Sequence, residues 1–285
     1  MFFKNKNSQL RYTLIRLRRN HMAVAGLAIL AALTLIAIFA DQLAPYGYAA
    51  QDYMNIRKPP SGAHWLGTDE FGRDVLSRLI YGSRISLQVG FVAVGISLVA
   101  GGLIGAVAGY FGGKLDSVLM RLMDIQLAIP TIMLAIVISA VLGPGLTNLM
   151  VAVGITSIPK FARLMRASVL SLKDMEFIEA ARAMGASHWR IILLYILPNC
   201  AAPLIVQSML TVANAILYAA TLSFLGVGIQ PPYPEWGGML STAQAYMRTS
   251  WYLSIFPGLA IMVTIVAINC LGDGLRDALD PKQKR

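Results

Sequence analysis

The uncharged stretches decide what this chain can fold into. Met22 to Ala40 runs without a single charge, and nine of its residues are Leu, Ile, Val or Phe, each favouring insertion by roughly 0.3–0.6 kcal/mol at a helix centre. A helix needs about 20 such residues to cross a bilayer, because hydrocarbon offers no partner to a free backbone group. Five more apolar stretches follow: Ile85 to Gly113, Ile125 to Leu142, a run from near Leu146 to Pro159, Cys200 to Val227, and Trp251 to Leu271. The pattern predicts an all-α membrane protein with six transmembrane helices. With 56% hydrophobic and 13% charged residues and a mean hydropathy of +0.63, the chain lies outside the soluble globular range. The first run is too long for a signal-peptide core and lacks a small-x-small cleavage site, so it is expected to stay as a span.

Charge placement orients these spans. The net charge of +10 is scattered through short connections, with no basic domain or interleaved aromatics, so no nucleic-acid partner is expected. Segments 1–21, 114–124 and 160–199 and the tail 272–285 hold eighteen of the 24 Lys and Arg residues. By the positive-inside rule these face the cytoplasm, with both termini, and 41–84, 143–145 and 228–250 lie outside. The expected organisation is a cytoplasmic segment 1–21, a first span 22–40, an external loop 41–84, a core 85–271 of five spans, and a cytoplasmic tail 272–285.

Local signals fill in the connections. In the external loop Thr68 or Asp69 can cap a short helix carrying Phe71, Val75 and Leu79 on one side and ending near Gly82, expected to lie on the membrane surface. Gly101, Gly105, Gly109 and Gly113 recur every four residues, which lets another helix approach closely. Arg121 and Asp124 can pair at i, i+3. Pro130 is expected to kink the third span, and Gly143-Pro144-Gly145 forces the fourth to return antiparallel. On the fifth span Gln207, Thr211, Asn214 and Tyr218 form one polar stripe, which either bonds to neighbouring helices or lines a wet pathway. Trp236 reads as an aromatic anchor at the interface.

Chemistry-bearing motifs are missing. GYFGGK falls short of a phosphate loop, having Ala108 and Leu115 where Gly and Ser or Thr are needed. Cys200 and Cys270 show no metal-ligand spacing, and His21, His64 and His188 are dispersed, so neither a metal site nor a catalytic constellation is expected. No cofactor is expected on this chain.

The stretch Glu176 to Asn199, EFIEAARAMGASHWRIILLYILPN, reads as two amphipathic helices joined at Gly185. Phe177, Ala180, Ala181 and Met184 share one face of the first, and Trp189, Ile192, Leu193 and Ile196 one face of the second. Gly185 can adopt the left-handed conformation, Ser187 can cap the second helix, and Pro198 ends or kinks the unit. Glu179-Ala180-Ala181, then Gly185, then Leu197-Pro198 resemble the EAA loop of binding-protein-dependent ABC importer permeases, with Tyr195 departing from the usual Ile. LGTDEFGRDVLSRLIYGSR and TLSFLGVGIQPPYPEWGGML are similar to runs in the C-type membrane subunit of the dipeptide, oligopeptide and nickel branch.

The resemblance, which extends from about Asp69 to the C-terminus, implies a type I ABC importer transmembrane domain whose EAA loop is a cytoplasmic coupling helix seated on an ATPase subunit. It implies coupling through Glu179, Ala180, Ala181, Arg182, Met184, Gly185 and Ala186, with Glu179 making polar contact and Gly185 forming the elbow. It favours a translocation pathway along Gln207, Thr211, Asn214 and Tyr218. The implied partners are a related second permease subunit, two ATPase subunits that hold ATP and Mg, and an extracytoplasmic solute-binding protein, in a bacterial cytoplasmic (inner) membrane with its lipid. Short peptides are the expected cargo, with nickel or other metal-chelate complexes or glutathione as alternatives. An ion-coupled secondary transporter is the rival on topology alone, but it would place titratable groups near mid-membrane, and the six runs hold none in their interiors.

Overall fold

A computed structural model describes residues 15–279. The basic residues expected at 1–14 and the end of the tail at 280–285 lie outside the described residues. Among those described there is no strand, only an isolated bridge between Thr68 and Asp74.

Ten helices carry the description. They are α1 (His21–Ile38), α2 (Val75–Phe111), α3 (Gly113–Ala128), α4 (Thr131–Leu142), α5 (Leu146–Leu172), α6 (Glu176–Ala183), α7 (His188–Ile191), α8 (Ala201–Phe224), α9 (Trp236–Ala243) and α10 (Tyr252–Leu279). Four of them, α1, α2, α8 and α10, are long and apolar enough to cross a membrane, and a fifth span forms if α3 and α4 count as one broken element. The fourth expected span is present as a helix of 27 residues, α5, but Lys160, Arg163 and Arg166 occupy its second half, so only its first half is free of charge.

The surface helix expected to end near Gly82 does not exist. Asp74 caps α2, accepting from the Ser77 amide at 2.8 Å, and the helix runs unbroken for 37 residues, about 55 Å at 1.5 Å per residue. Phe71 lies outside it. Gly82 instead opens a slot: a Cβ there would sit 2.8 Å from both the Pro234 carbonyl and the Trp236 ring. Trp236 is therefore no interfacial anchor. It is 1% exposed, and its indole N–H donates to the Leu79 carbonyl at 3.1 Å.

The glycine repeat works within the chain. Gly101, Gly105 and Gly109 of α2 face Phe161, Ala162, Met165 and Val169 of α5, so the two backbones nearly touch. The Ser97 hydroxyl crosses this seam to the Gly154 carbonyl at 2.8 Å. On the opposite flank Gly26 of α1 admits the Ala267 carbonyl and Cys270 of α10, which explains the small residue at 270. Both cysteines are free.

Pro130 breaks the third span instead of kinking it. Ile129 is extended, as a residue before proline prefers, and α3 and α4 meet at 93°. Pro159, in contrast, sits buried inside a continuous α5. The expected Arg121–Asp124 pair is replaced by pairs between helices. Asp124 bonds to Arg163 at 2.5 Å, and Asp116 bonds to Arg166 through two contacts at 2.5 and 2.6 Å. The last helix, expected to end at Leu271, continues into the tail as far as Leu279.

Candidate functional site

The two ends of α2 mark the two ends of the bundle. At the Phe111 end lies the segment 176–199. Gly185 has φ +79, and its neighbours close the elbow: the Gly185 amide donates to the Arg182 carbonyl at 2.9 Å and the Ala186 amide to the Ala181 carbonyl at 3.1 Å. This is the left-handed helix ending for which glycine is suited. Ser187 then caps α7, its hydroxyl accepting from the Arg190 amide at 3.4 Å. The turn and the cap were legible from sequence.

The buried faces were not. In α6 the residues turned into the core are Ile178 and Ala181, with Phe177 half-buried, while Ala180 is exposed and Met184 is 77% exposed. Beyond the elbow Ile191, Ile192 and Ile196 are buried, and Trp189, at 56%, and Leu193 are exposed. The expected stripes therefore mix both faces. Over 192–196 the backbone forms a wide π turn, where a 3.6-residue period no longer predicts the face; in α6, an ordinary helix, the inward stripe runs through Ile178 and Ala181 and leaves Ala180 and Met184 outside. Pro198 has no N–H to give the Leu194 carbonyl, so the backbone widens before it. The Asn199 side chain donates to the Tyr195 carbonyl at 2.6 Å. Tyr195 thus sits within the wide turn, its half-buried side chain packed on the core.

What remains outward is a surface of Glu179, Ala180, Arg182, Met184, Gly185, Trp189, Leu193 and Leu194. A projecting two-helix elbow with a large apolar centre and a charged edge has the anatomy of an interface, not of a catalytic pocket.

At the Val75 end, residues of two connections and the first turn of α2 converge on a buried ionic cluster that sequence reasoning passed over. Asp69 accepts from the amides of Phe71 and Arg73, both at 2.9 Å, and from the Arg73 guanidinium at 2.6 Å. Arg78 lies 3.5 Å from the same carboxylate and donates to the carbonyls of Tyr48 and Pro232. Asp74 shares a 2.9 Å bond with His64. All are nearly buried. Burial and the neighbouring Asp69 charge push the Glu70 carboxyl above the usual carboxylate range. Glu235 accepts from the amides of Gly237 and Gly238 at 3.0 and 2.8 Å and is raised by burial in spite of them. The available signal was a run of five charges of mixed sign between positions 69 and 78, too balanced for a solvent loop of random charge.

The polar stripe of α8 is divided. Thr211 is buried and Asn214 exposed, with Gln207 and Tyr218 between. Gln207 donates to the Thr211 hydroxyl at 3.1 Å, that hydroxyl to the Gln207 carbonyl, and Asn214 to the Leu210 carbonyl. Each bond stays within α8, so none of these three ties α8 to a neighbouring helix. A cleft of about 360 Å³ opens beside the start of α5, lined by Ile85, Leu146, Thr147, Asn148, Ile229 and Tyr233, and contains none of the four. Among the described residues no group of His, Cys, Asp and Glu is placed to hold a metal.

A family model described as the binding-protein-dependent transport system inner membrane component matches residues 101–285, and one for the N-terminal TM domain of oligopeptide transport permease C matches residues 8–60. A dipeptide transport system permease protein of Alkalihalophilus pseudofirmus is 49% identical over 269 residues, covering 94% of this chain and 88% of the relative. A di/tripeptide transport system permease protein of Pseudomonas aeruginosa is 46% identical, covering 93% and 89%. A glutathione transport system permease protein of Pectobacterium atrosepticum is also 46% identical, covering 94% and 90%. The solved MetNI methionine ABC transporter, in inward-facing conformations, shares the fold with a TM-score of 0.59 at 21% identity, over 72% of this chain and 97% of that one.

Proposed function

The chain belongs to the family of binding-protein-dependent transport system inner membrane components, and on that premise we propose that it forms one half of an ATP-driven import pathway for short peptides. The family makes it a permease subunit of an ABC importer and not an enzyme, the ATPase being a separate chain. The ion-coupled rival falls with that membership. Relatives covering nearly the whole chain are named for dipeptides, for di- and tripeptides and for glutathione, itself a short peptide, which supports the peptide cargo.

The observation that carries the mechanism is the elbow at Gly185. Its left-handed turn holds Met184 and Trp189 outward while Ile178, Ala181 and Ile191 anchor the same segment in the core. Such a projection can be gripped by a separate ATPase and can transfer its movement into the bundle. Glu179 and Arg182 border the apolar centre and offer polar contacts, and Ala180, Ala181 and Ala186 keep the elbow slim. The positive-inside bias puts this end in the cytoplasm, with both termini. A second, related permease fits the exposed apolar flank formed by Leu122 and Ile125 of α3 and Met133 and Val137 of α4, and a solute-binding protein would deliver cargo at the Val75 end. Gln207, Asn214 and Tyr218 then form the wet side of the pathway on α8, with Thr211 bracing Gln207 from behind.

Gly185→Trp tests the coupling reading. Nothing lies within 4 Å of a Cβ at 185, so a side chain can start there without a clash. It adds bulk to the exposed surface and strains a φ that L-residues avoid at a cost of about 1–2 kcal/mol. The variant is expected to reach the membrane at normal levels and to lose ATPase association and labelled-dipeptide uptake. Normal uptake by a well-expressed Gly185→Trp importer would sink the coupling assignment.

A further inference from the structure

The elbow has to hand its displacement to something that reaches the opposite end of the bundle. Two candidate routes leave segment 176–199: the apolar packing of Ile178, Ala181 and Ile191, and a polar contact with the last turn of α2. In the second, His188 of α7 shares a hydrogen bond of 3.0 Å with the Tyr110 hydroxyl. The His188 ring also packs edge-on against Tyr110 and Phe111, each at 5.6 Å between centroids. From the other side of the elbow the Arg182 guanidinium lies over the Tyr110 ring at 5.4 Å. Tyr110 is buried, 7% exposed, and is therefore held from both helices of the elbow at once.

Helix α2 is built to carry such a contact lengthwise. It is continuous from Val75 to Phe111, and the glycine seam with α5 supports its second half. Its far end is fastened to the connections there: Leu79 accepts from Trp236, and Arg78 donates to Tyr48 and Pro232. An unbroken helix fastened at both ends can pass a displacement along its axis, because it bends only gently unless its hydrogen-bond ladder is interrupted.

We propose that α2 is the rod that transmits movement of the elbow to the 228–243 segment, and that Tyr110 and His188 are the positioning residues that join the rod to the elbow. The proposal rests on the coupling reading of segment 176–199. Apolar packing holds the elbow against the core but is non-directional. The hydrogen bond adds a fixed direction to that contact.

The test uses the complete importer, this chain with its partner subunits, in proteoliposomes. Tyr110→Phe keeps the ring and the Arg182 contact and removes only the hydroxyl. Losing one hydrogen bond of ordinary net worth is expected to lower peptide uptake per ATP hydrolysed by about fivefold, with ATPase subunits still bound. His188→Asn retains a polar atom where Nδ1 stood and is expected to stay within about twofold of the parent. Tyr233→Cys, at a position 58% exposed, reports on the far end, and the ATP-dependent change in its labelling rate should shrink when Tyr110→Phe is added. Unchanged uptake per ATP and unchanged labelling in Tyr110→Phe, beside a Gly185→Trp variant that has lost uptake, would overturn the rod while leaving the coupling reading intact. Loss of ATPase binding in Tyr110→Phe would overturn it too, since the bond would then shape the docking surface. Normal uptake by Gly185→Trp would remove the coupling reading itself and the rod with it.

Discussion

Gly105→Ala adds one methyl group, and the structure makes that methyl intolerable. A Cβ at Gly105 would stand 2.2 Å from the Ala162 carbonyl oxygen and 2.8 Å from the Met165 Cβ, where ordinary contact begins at 3.4 Å. The obstacle is backbone and cannot rotate away, so α2 and α5 must part by about 1 Å. Overpacking of this kind costs about 1–3 kcal/mol. Parting also stretches the 2.8 Å bond from Ser97 to the Gly154 carbonyl across the same seam, worth about 1 kcal/mol. The sum, roughly 2–4 kcal/mol, corresponds to a fall in midpoint of about 3–7 °C for a chain of this size. Gly102→Ala is the internal control. It is buried in the same helix, a Cβ there meets nothing within 4 Å, and replacing glycine by alanine in a helix should gain up to about 1 kcal/mol. Thermal unfolding of both variants in one detergent, followed by near-UV circular dichroism, decides the matter. Equal midpoints for Gly105→Ala and Gly102→Ala would refute the reasoning that the glycine seam sets the separation of the helices.

Two further outcomes follow from the site geometry. The Glu235 carboxyl is raised by burial, so the folded state holds its proton longer than the unfolded one; its contribution to stability is full below about pH 4.3 and declines as pH rises through the folded value. The difference in stability between the parent and Glu235→Gln should therefore change with pH in that window, and a constant difference would exclude titration of Glu235. On α8, Asn214→Cys should react with a membrane-impermeant thiol reagent in at least one transport state, with Thr211→Cys, 2% exposed, protected in the conformation described. Complete protection of Asn214→Cys in every state would return the stripe to helix packing.

Local conformation was legible wherever a single residue type has few options. Gly185 took the left-handed turn, and Ser187 became the cap. Proline was legible only as a disturbance. Pro130 separates two helices at 93°, but Pro159 sits inside a continuous one. The two differ in the residue before the proline: Ile129 is extended, whereas Ile158 stays helical, with Gly101 packed against its carbonyl. The faces of 176–199 were misjudged in two ways: in α6 the inward stripe runs through Ile178 and Ala181 rather than Ala180 and Met184, and over 192–196 a 3.6-residue period meets a π turn.

The chain's sequence by itself determined that it lives in a membrane, which residues its apolar runs contain, where the elbow turns, and that it has no nucleotide loop of its own. These follow from hydropathy, spacing and backbone preference, which are properties of neighbours in sequence. Tertiary structure alone decided that Trp236 fills a slot above Gly82, that Asp116 and Asp124 pair with α5, that Asp69 and Arg78 meet in a buried cluster, and that Tyr110 reaches His188. Each of these joins residues brought together by where helices cross, and crossing points depend on the fit of whole surfaces, which no local pattern encodes.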